Sequence, residues 1–201
     1  MRVKTARDAP GQPARYIERA MTKPADIVDF WRTAGPKRWF AKNDALDAQI
    51  RDRFESEHHA AARGERDDWA RTPEGALALI LLFDQFPRNL FRNSAHAYAT
   101  DALARNAAVA AIADGHDKAV ATDLRAFFYL PFTHSEDLAD QEFAVDLADA
   151  LERQGGPEAR GARMHRDIIV RFGRFPHRNR CLGRESTPDE IAFLEGGGFA
   201  G

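Results

Sequence analysis

Apolar positions recur along this chain at helical spacing. Ile27, Phe30 and Trp31 stand at i, i+3 and i+4, which places them on one face of a helix opened by Thr22 as N-cap and closed near Gly35. Leu46, Ile50 and Phe54 follow every fourth residue, from Asn43 as the next N-cap to a stop at Gly64. Thr72-Pro73 supplies an N-cap and a first-turn proline for a segment, Ala76 to Phe83, that is apolar on every side. That pattern predicts a buried central helix. Pro87 should end it at about Phe86, because proline lacks an N–H and its ring clashes with the carbonyl four residues back.

Ala95 to Gly115 reads as an Ala-rich helix, and Thr122 to Leu130 as a short one stopped by Pro131. Thr133-His134-Ser135-Glu136 has capping-box spacing and opens a stretch with seven carboxylates up to Glu152 and no Lys or Arg. Gly155-Gly156-Pro157 separates it from a helix with Met164, Ile168 and Phe172 as a stripe, ended by Gly173. A second capping box, Thr187-Pro188-Asp189-Glu190, opens the last helix, which dissolves into Gly196–Gly198.

Composition agrees with this pattern. Ala occurs 36 times and Leu 14 times, against 14 for Val and Ile together, and the former pair favour helix. No strand-like alternation and no Asn-Gly or Asp-Gly hairpin turn is present. The expectation is an all-α, single-domain helical bundle over residues 24–195, with a flexible basic arm (1–23) and a flexible Gly-rich tail (196–201). At 201 residues, one such domain buries roughly 70% of its unfolded surface.

A net charge of −2 and a pI near 6.4 give no general attraction to nucleic acid or an anionic membrane. One cysteine, Cys181, excludes an internal disulfide framework and a multi-cysteine zinc site. No secretory leader is readable, so the reducing cytoplasm is the expected compartment. No metal and no cofactor is predicted, and the chain is expected as a monomer or homodimer. Gly196 to Gly201 satisfies G-x-G-x-x-G, but it lacks the strand and helix that the dinucleotide mechanism needs.

Candidate chemistry lies in two loops of one signature, Asp84-Gln85-Phe86-Pro87-Arg88-Asn89 and Gly173-Arg174-Phe175-Pro176-His177-Arg178-Asn179. In each, Phe anchors the loop, Pro stops a helix, and Arg and Asn are presented. Arg offers a planar five-donor fork for carboxylate or phosphate. Five arginines and one histidine stand between Arg171 and Arg184 with no acidic residue. They either staple loops and the acidic helix together or line a pocket. The pocket would bind a small anionic ligand or an acidic peptide group through Asp84, Arg88, Asn89, His134, Glu136, His165, Arg178, Asn179 and Arg184. An acid–base or hydrolytic enzyme would use His134 or His177 as base and Glu136 as its orienter. A scaffold with purely structural polar motifs is the third reading. A helix N-terminus at His134 would disfavour its imidazolium. His165 reads as a boundary residue and His58-His59 as part of a solvated face.

Taken in order, Trp39-Phe40, the two Phe-Pro loops, Pro131 with His134-Ser135-Glu136, Gln141, His165, Leu182-Gly183-Arg184, Ser186-Thr187 and Glu190 resemble the bacterial family called domain of unknown function 924. The likeness runs from about Asp26 to Glu195. It implies an all-helical fold of the tetratricopeptide-like α–α superhelix class and no established reaction. Cys181 and the basic arm lie outside it, and no 34-residue repeat is readable.

Overall fold

The protein is described by a computed structural model over residues 22–201. The proposed flexible arm therefore lies, but for Thr22 and Lys23, outside the described residues. These form helices joined by turns and loops, with no strand among them. The main helices are α1 (Pro24–Ala34), α2 (Asp44–Ala62), α3 (Pro73–Ile80), α4 (Asp101–Ala113), α5 (Leu138–Arg153), α6 (Arg160–Phe172) and α7 (Pro188–Glu195), joined by shorter turns.

Helix α3 is central: each residue from Gly75 to Gln85 is buried, as its all-round apolarity requires. It packs against α1 and α4, with Trp31, Phe54, Phe86 and Phe127 forming an aromatic cluster beneath it. Its start follows the sequence: Thr72 Oγ1 accepts the Gly75 N–H at 3.1 Å, with Pro73 in the first turn. Gly75 is dictated by space, since a Cβ there would lie 2.1 Å from the Trp69 carbonyl oxygen.

The end of α3 differs from expectation. The chain does not stop at Phe86 but widens into one π-helical turn (Leu81–Gln85) and continues as helix through Phe86–Leu90, with Pro87 in the new first turn. A wider turn is how a helix absorbs a proline without the clash. Three carbonyls at the turn accept from side chains. Thr100 Oγ1 donates to Phe83 O at 2.7 Å, His58 Nδ1 to Leu82 O at 2.8 Å, and Arg88 to Asp84 O. His58, read from sequence as solvated, is buried for this reason.

Other boundaries shift as well. Helix α1 is capped by Lys23, with Asp26 accepting its N–H, rather than by Thr22. The Ala95–Gly115 segment is broken at Ala99-Thr100 into a 3-10 turn and α4. Pro131 lies in the first turn of a short helix, Leu130–Thr133, rather than ending one. The capping box at Thr133 does not form: Thr133 closes that short helix, and α5 begins at Leu138 with Asp137 as N-cap. The Thr187/Glu190 box does form.

Two hydrophobic clusters result. The main core gathers side chains of α1 to α5. A smaller one joins Ile168 and Ile169 of α6 to Phe175, with Phe172, Phe193 and Phe199 packed against it. No helix among the described residues is long and apolar enough to cross a membrane.

Candidate functional site

The polar motif residues meet where the two Phe-Pro loops face each other across the short helix Leu130–Thr133. The structure sorts them into three groups.

The first group surrounds Asp84, which the π-turn directs inward and buries completely. Its Oδ1 lies 2.7 Å from His134 Nδ1 and 3.1 Å from Arg88 Nη1, and Gln85 donates to Oδ2. Burial opposes the Asp84 charge, but Arg88 and His134 together hold its pKa down at about 2. Burial and the Arg88 charge lower His134 to about 4 despite Asp84. At neutral pH the pair is thus a carboxylate accepting from the Nδ1–H of a neutral imidazole, and His134 Nε2 is left with a lone pair. The helix-dipole argument for a neutral His134 fails, because the residue follows a helix instead of starting one; burial supplies the same result.

Arg88 and Arg178 both reach Asp101, at 3.0 and 3.5 Å. Arg178 lies flat between Tyr98 and Phe175, with its guanidinium carbon 4.6 and 4.5 Å from the two ring centres, and donates to the His134 carbonyl at 2.9 Å. Burial pushes the Asp101 carboxyl up even though Arg88 opposes it, and pushes the Arg178 guanidinium down. His165 stands beside His134, ring centres 6.1 Å apart, and its Nδ1 donates to Gly161 O at 2.8 Å. His177 closes this side. Burial and the adjacent Arg178 lower it to about 3, and Phe199 of the Gly-rich tail sits 4.6 and 5.1 Å from the His165 and His177 rings.

The second group is a closed lattice of charge-assisted bonds that ties down the Arg-rich loop. Arg184 forks onto Glu136 at 2.6 and 2.9 Å, and its Nε donates to Asn179 Oδ1 at 2.9 Å. Glu136 also accepts the Phe175 N–H at 2.8 Å. Arg174 forks onto Glu190 at 2.6 and 2.9 Å, and Glu190 further accepts from Thr187 N–H and Asn179 Nδ2. With so many donors on it, the Glu190 carboxyl is held at about 2, Arg174 being the main cause. This corrects the role expected of Glu136: the carboxylate that orients an imidazole is Asp84, and Glu136 is spent on Arg184 and the loop backbone.

Asn89 stands in a third place. It donates to Asp47 Oδ1 at 2.8 Å, beside the fork of Arg92 on Asp47, so it locks α2 to the helical extension after Pro87 and does not join Arg88. Of the seven carboxylates in the acidic stretch, Glu136 is the one that takes an arginine of the Arg-rich loop; further along, Asp140 takes Arg105 and Asp149 takes Arg163. Tyr98 and Asp101 were missed in the sequence. Their only signal was the break in the Ala-rich run at Thr100.

Among the described residues, no group of three His, Cys, Asp or Glu is arranged to hold a metal. An all-helical chain with a buried Asp–His pair and two convergent arginines is the class that fold and site define. The family model described as bacterial protein of unknown function (DUF924) matches residues 27–198, and the chain belongs to that family. It is similar to the solved structure of the protein of unknown function ATU0120 from Agrobacterium tumefaciens, at 57% identity and a TM-score of 0.82, covering 86% of this chain and 97% of that one. A comparison with curated proteins found no match.

Proposed function

We propose that this protein binds a small anionic ligand, a carboxylate or phosphate, at the clamp of Arg88 and Arg178. One observation carries the reading: the Arg178 side chain is 7% exposed, yet its Nε has no hydrogen-bond partner, and neither has the buried Nδ1 of His177 beside it. A loop staple uses its donors, as Arg174 and Arg184 do. A buried polar group left unpaired costs about 1–3 kcal/mol, a cost that a ligand-binding site tolerates and a staple does not. Asp101 marks the place both guanidinium forks already reach for a carboxylate.

Thermal unfolding against phosphate, citrate and short dicarboxylates tests this. A ligand at 100 times its dissociation constant adds about 2.7 kcal/mol, and the shift should vanish in Arg178→Lys, which keeps the charge but loses the fork. No shift with any anion, together with a badly destabilised Arg178→Ala, would return the residue to a structural role.

The Asp84–His134 pair favours a second reading, acid–base catalysis with His134 Nε2 as the base. Turnover of ester or phosphoester substrates that is lost in His134→Gln, while anion binding persists, would establish it. Turnover unchanged in that variant would dismiss it.

A further inference from the structure

The exposed face of α6 carries a groove that adjoins the histidine side of the arginine clamp only through Phe199. It has a volume of about 560 Å³. Its floor is Met164, Ile168 and Phe172, successive positions on one helical stripe, and its opposite wall is Phe193 of α7 and Phe199 of the tail. Met164 is 39% exposed, so the floor presents apolar surface to solvent.

Arginines stand at both ends. Arg160 opens the stripe and Arg171 closes it; eleven residues of helix set them about 16 Å apart on the same face. Arg163 and Asp167, between them, are already paired with Asp149 and Arg166. Arg160 and Arg171 have no carboxylate partner among the described residues; Arg171 only overlies the Phe172 and Phe193 rings, at 4.6 and 5.6 Å. An apolar trough with an unpaired cation at each end calls for an occupant of the reverse pattern. Arginine and glutamate side chains reach inward from both ends, so four steps of extended chain at roughly 3.3 Å each, about 13 Å, bring two carboxylates on one side of the chain to both arginines.

We infer that this groove binds a short extended peptide segment with apolar side chains between two carboxylates four positions apart. Its charge complementarity is what separates it from a bare hydrophobic patch. The inference does not rest on the arginine clamp and uses neither of its arginines; Phe199, whose other contacts are His165 and His177, is the shared wall.

The probe is a fluorescein-labelled Glu-Leu-Phe-Leu-Glu peptide, blocked at its C-terminus and measured by fluorescence anisotropy on the full chain. Its controls are Lys-Leu-Phe-Leu-Lys and Glu-Ser-Gly-Ser-Glu. The acidic, apolar peptide should bind at least about tenfold more tightly than either control, a margin of about 1.4 kcal/mol. Reversing both end charges in Arg160→Glu/Arg171→Glu should remove that margin, and Met164→Asp should do so from the floor. These substitutions are on exposed positions, and unchanged thermal unfolding confirms that the variants are folded. Arg178→Lys should leave peptide binding as it is. Equal binding of the three peptides, no binding up to about 1 mM, or binding indifferent to the double reversal overturns the proposal. Loss in Arg178→Lys alone would likewise overturn it, and would place the peptide's carboxylate at the clamp instead.

Discussion

At the residue scale, the two Phe-Pro-x-Arg-Asn-like loops show that identical side chains take opposite roles when their surroundings differ. Arg184 and Arg174 commit their Nε and Nη donors to carboxylates and carbonyls, whereas Arg178 keeps a buried Nε without a partner between two rings. The ionisable groups here make stability pH-dependent in two stages. His134 and His177 have folded pKa values near 4 and 3, below the value near 6.5 of an unfolded histidine. The unfolded chain therefore binds protons first, and the contribution of these residues is complete above about pH 6.5 and drains away as the pH falls through their folded values. Asp84 and Glu190, held near 2, add a second loss, beginning near pH 4 where unfolded carboxylates protonate. Urea midpoints should fall measurably between pH 7 and pH 5, and the slope over that range should flatten in His134→Gln. A midpoint constant down to pH 5 would contradict the neutral, buried histidines.

At the scale of elements, the π-turn at Leu81–Gln85 is the hinge of the whole site. It keeps helix on both sides of Pro87, turns Asp84 inward, and presents carbonyls that accept from Thr100 and His58. Thr100→Val keeps the shape and removes the donor to the Phe83 carbonyl; it should cost about 1–3 kcal/mol in urea unfolding. An unchanged stability would mean that the Phe83 carbonyl needs no such partner. This turn is also the clearest limit of sequence reading. Helix caps with local grammar, Asn43, Thr72-Pro73 and Thr187 with Glu190, were legible because the capping atoms are within three residues of each other. Pro87 and Pro131 were misread as terminators because the groups that accommodate them are distant in sequence. Arg88, His134, His165 and Arg178 could be nominated together from motif likeness. Asp84 as the partner of His134, in place of Glu136, and Asn89 as the partner of Asp47 depend on contacts 50 and 42 residues apart, which no local pattern encodes.

At the scale of the molecule, the fold has a large core and a small satellite built from α6, the Arg-rich loop and α7. The two meet where α6 packs along α5, and polar contacts tie the second Phe-Pro loop across the join: Glu136 on Phe175 N–H and Arg184, and Arg178 on Asp101 and the His134 carbonyl. Such a unit opens below the global unfolding free energy when its bridge is cut. Glu136→Gln should raise amide hydrogen exchange across residues 174–195 and leave α3 protected. Exchange that rises equally in α3 would show the two cores to be one cooperative unit.

The division between cores has a spectroscopic corollary. The three tryptophans are Trp31, Trp39 and Trp69, and all of them belong to or pack on the larger core. Intrinsic fluorescence is therefore blind to the satellite, and a single smooth melt recorded that way says nothing about half of the arginine clamp. Backbone circular dichroism, which counts α6 and α7, will begin to change at a lower temperature, and the gap between the two curves measures how loosely the second Phe-Pro loop is moored.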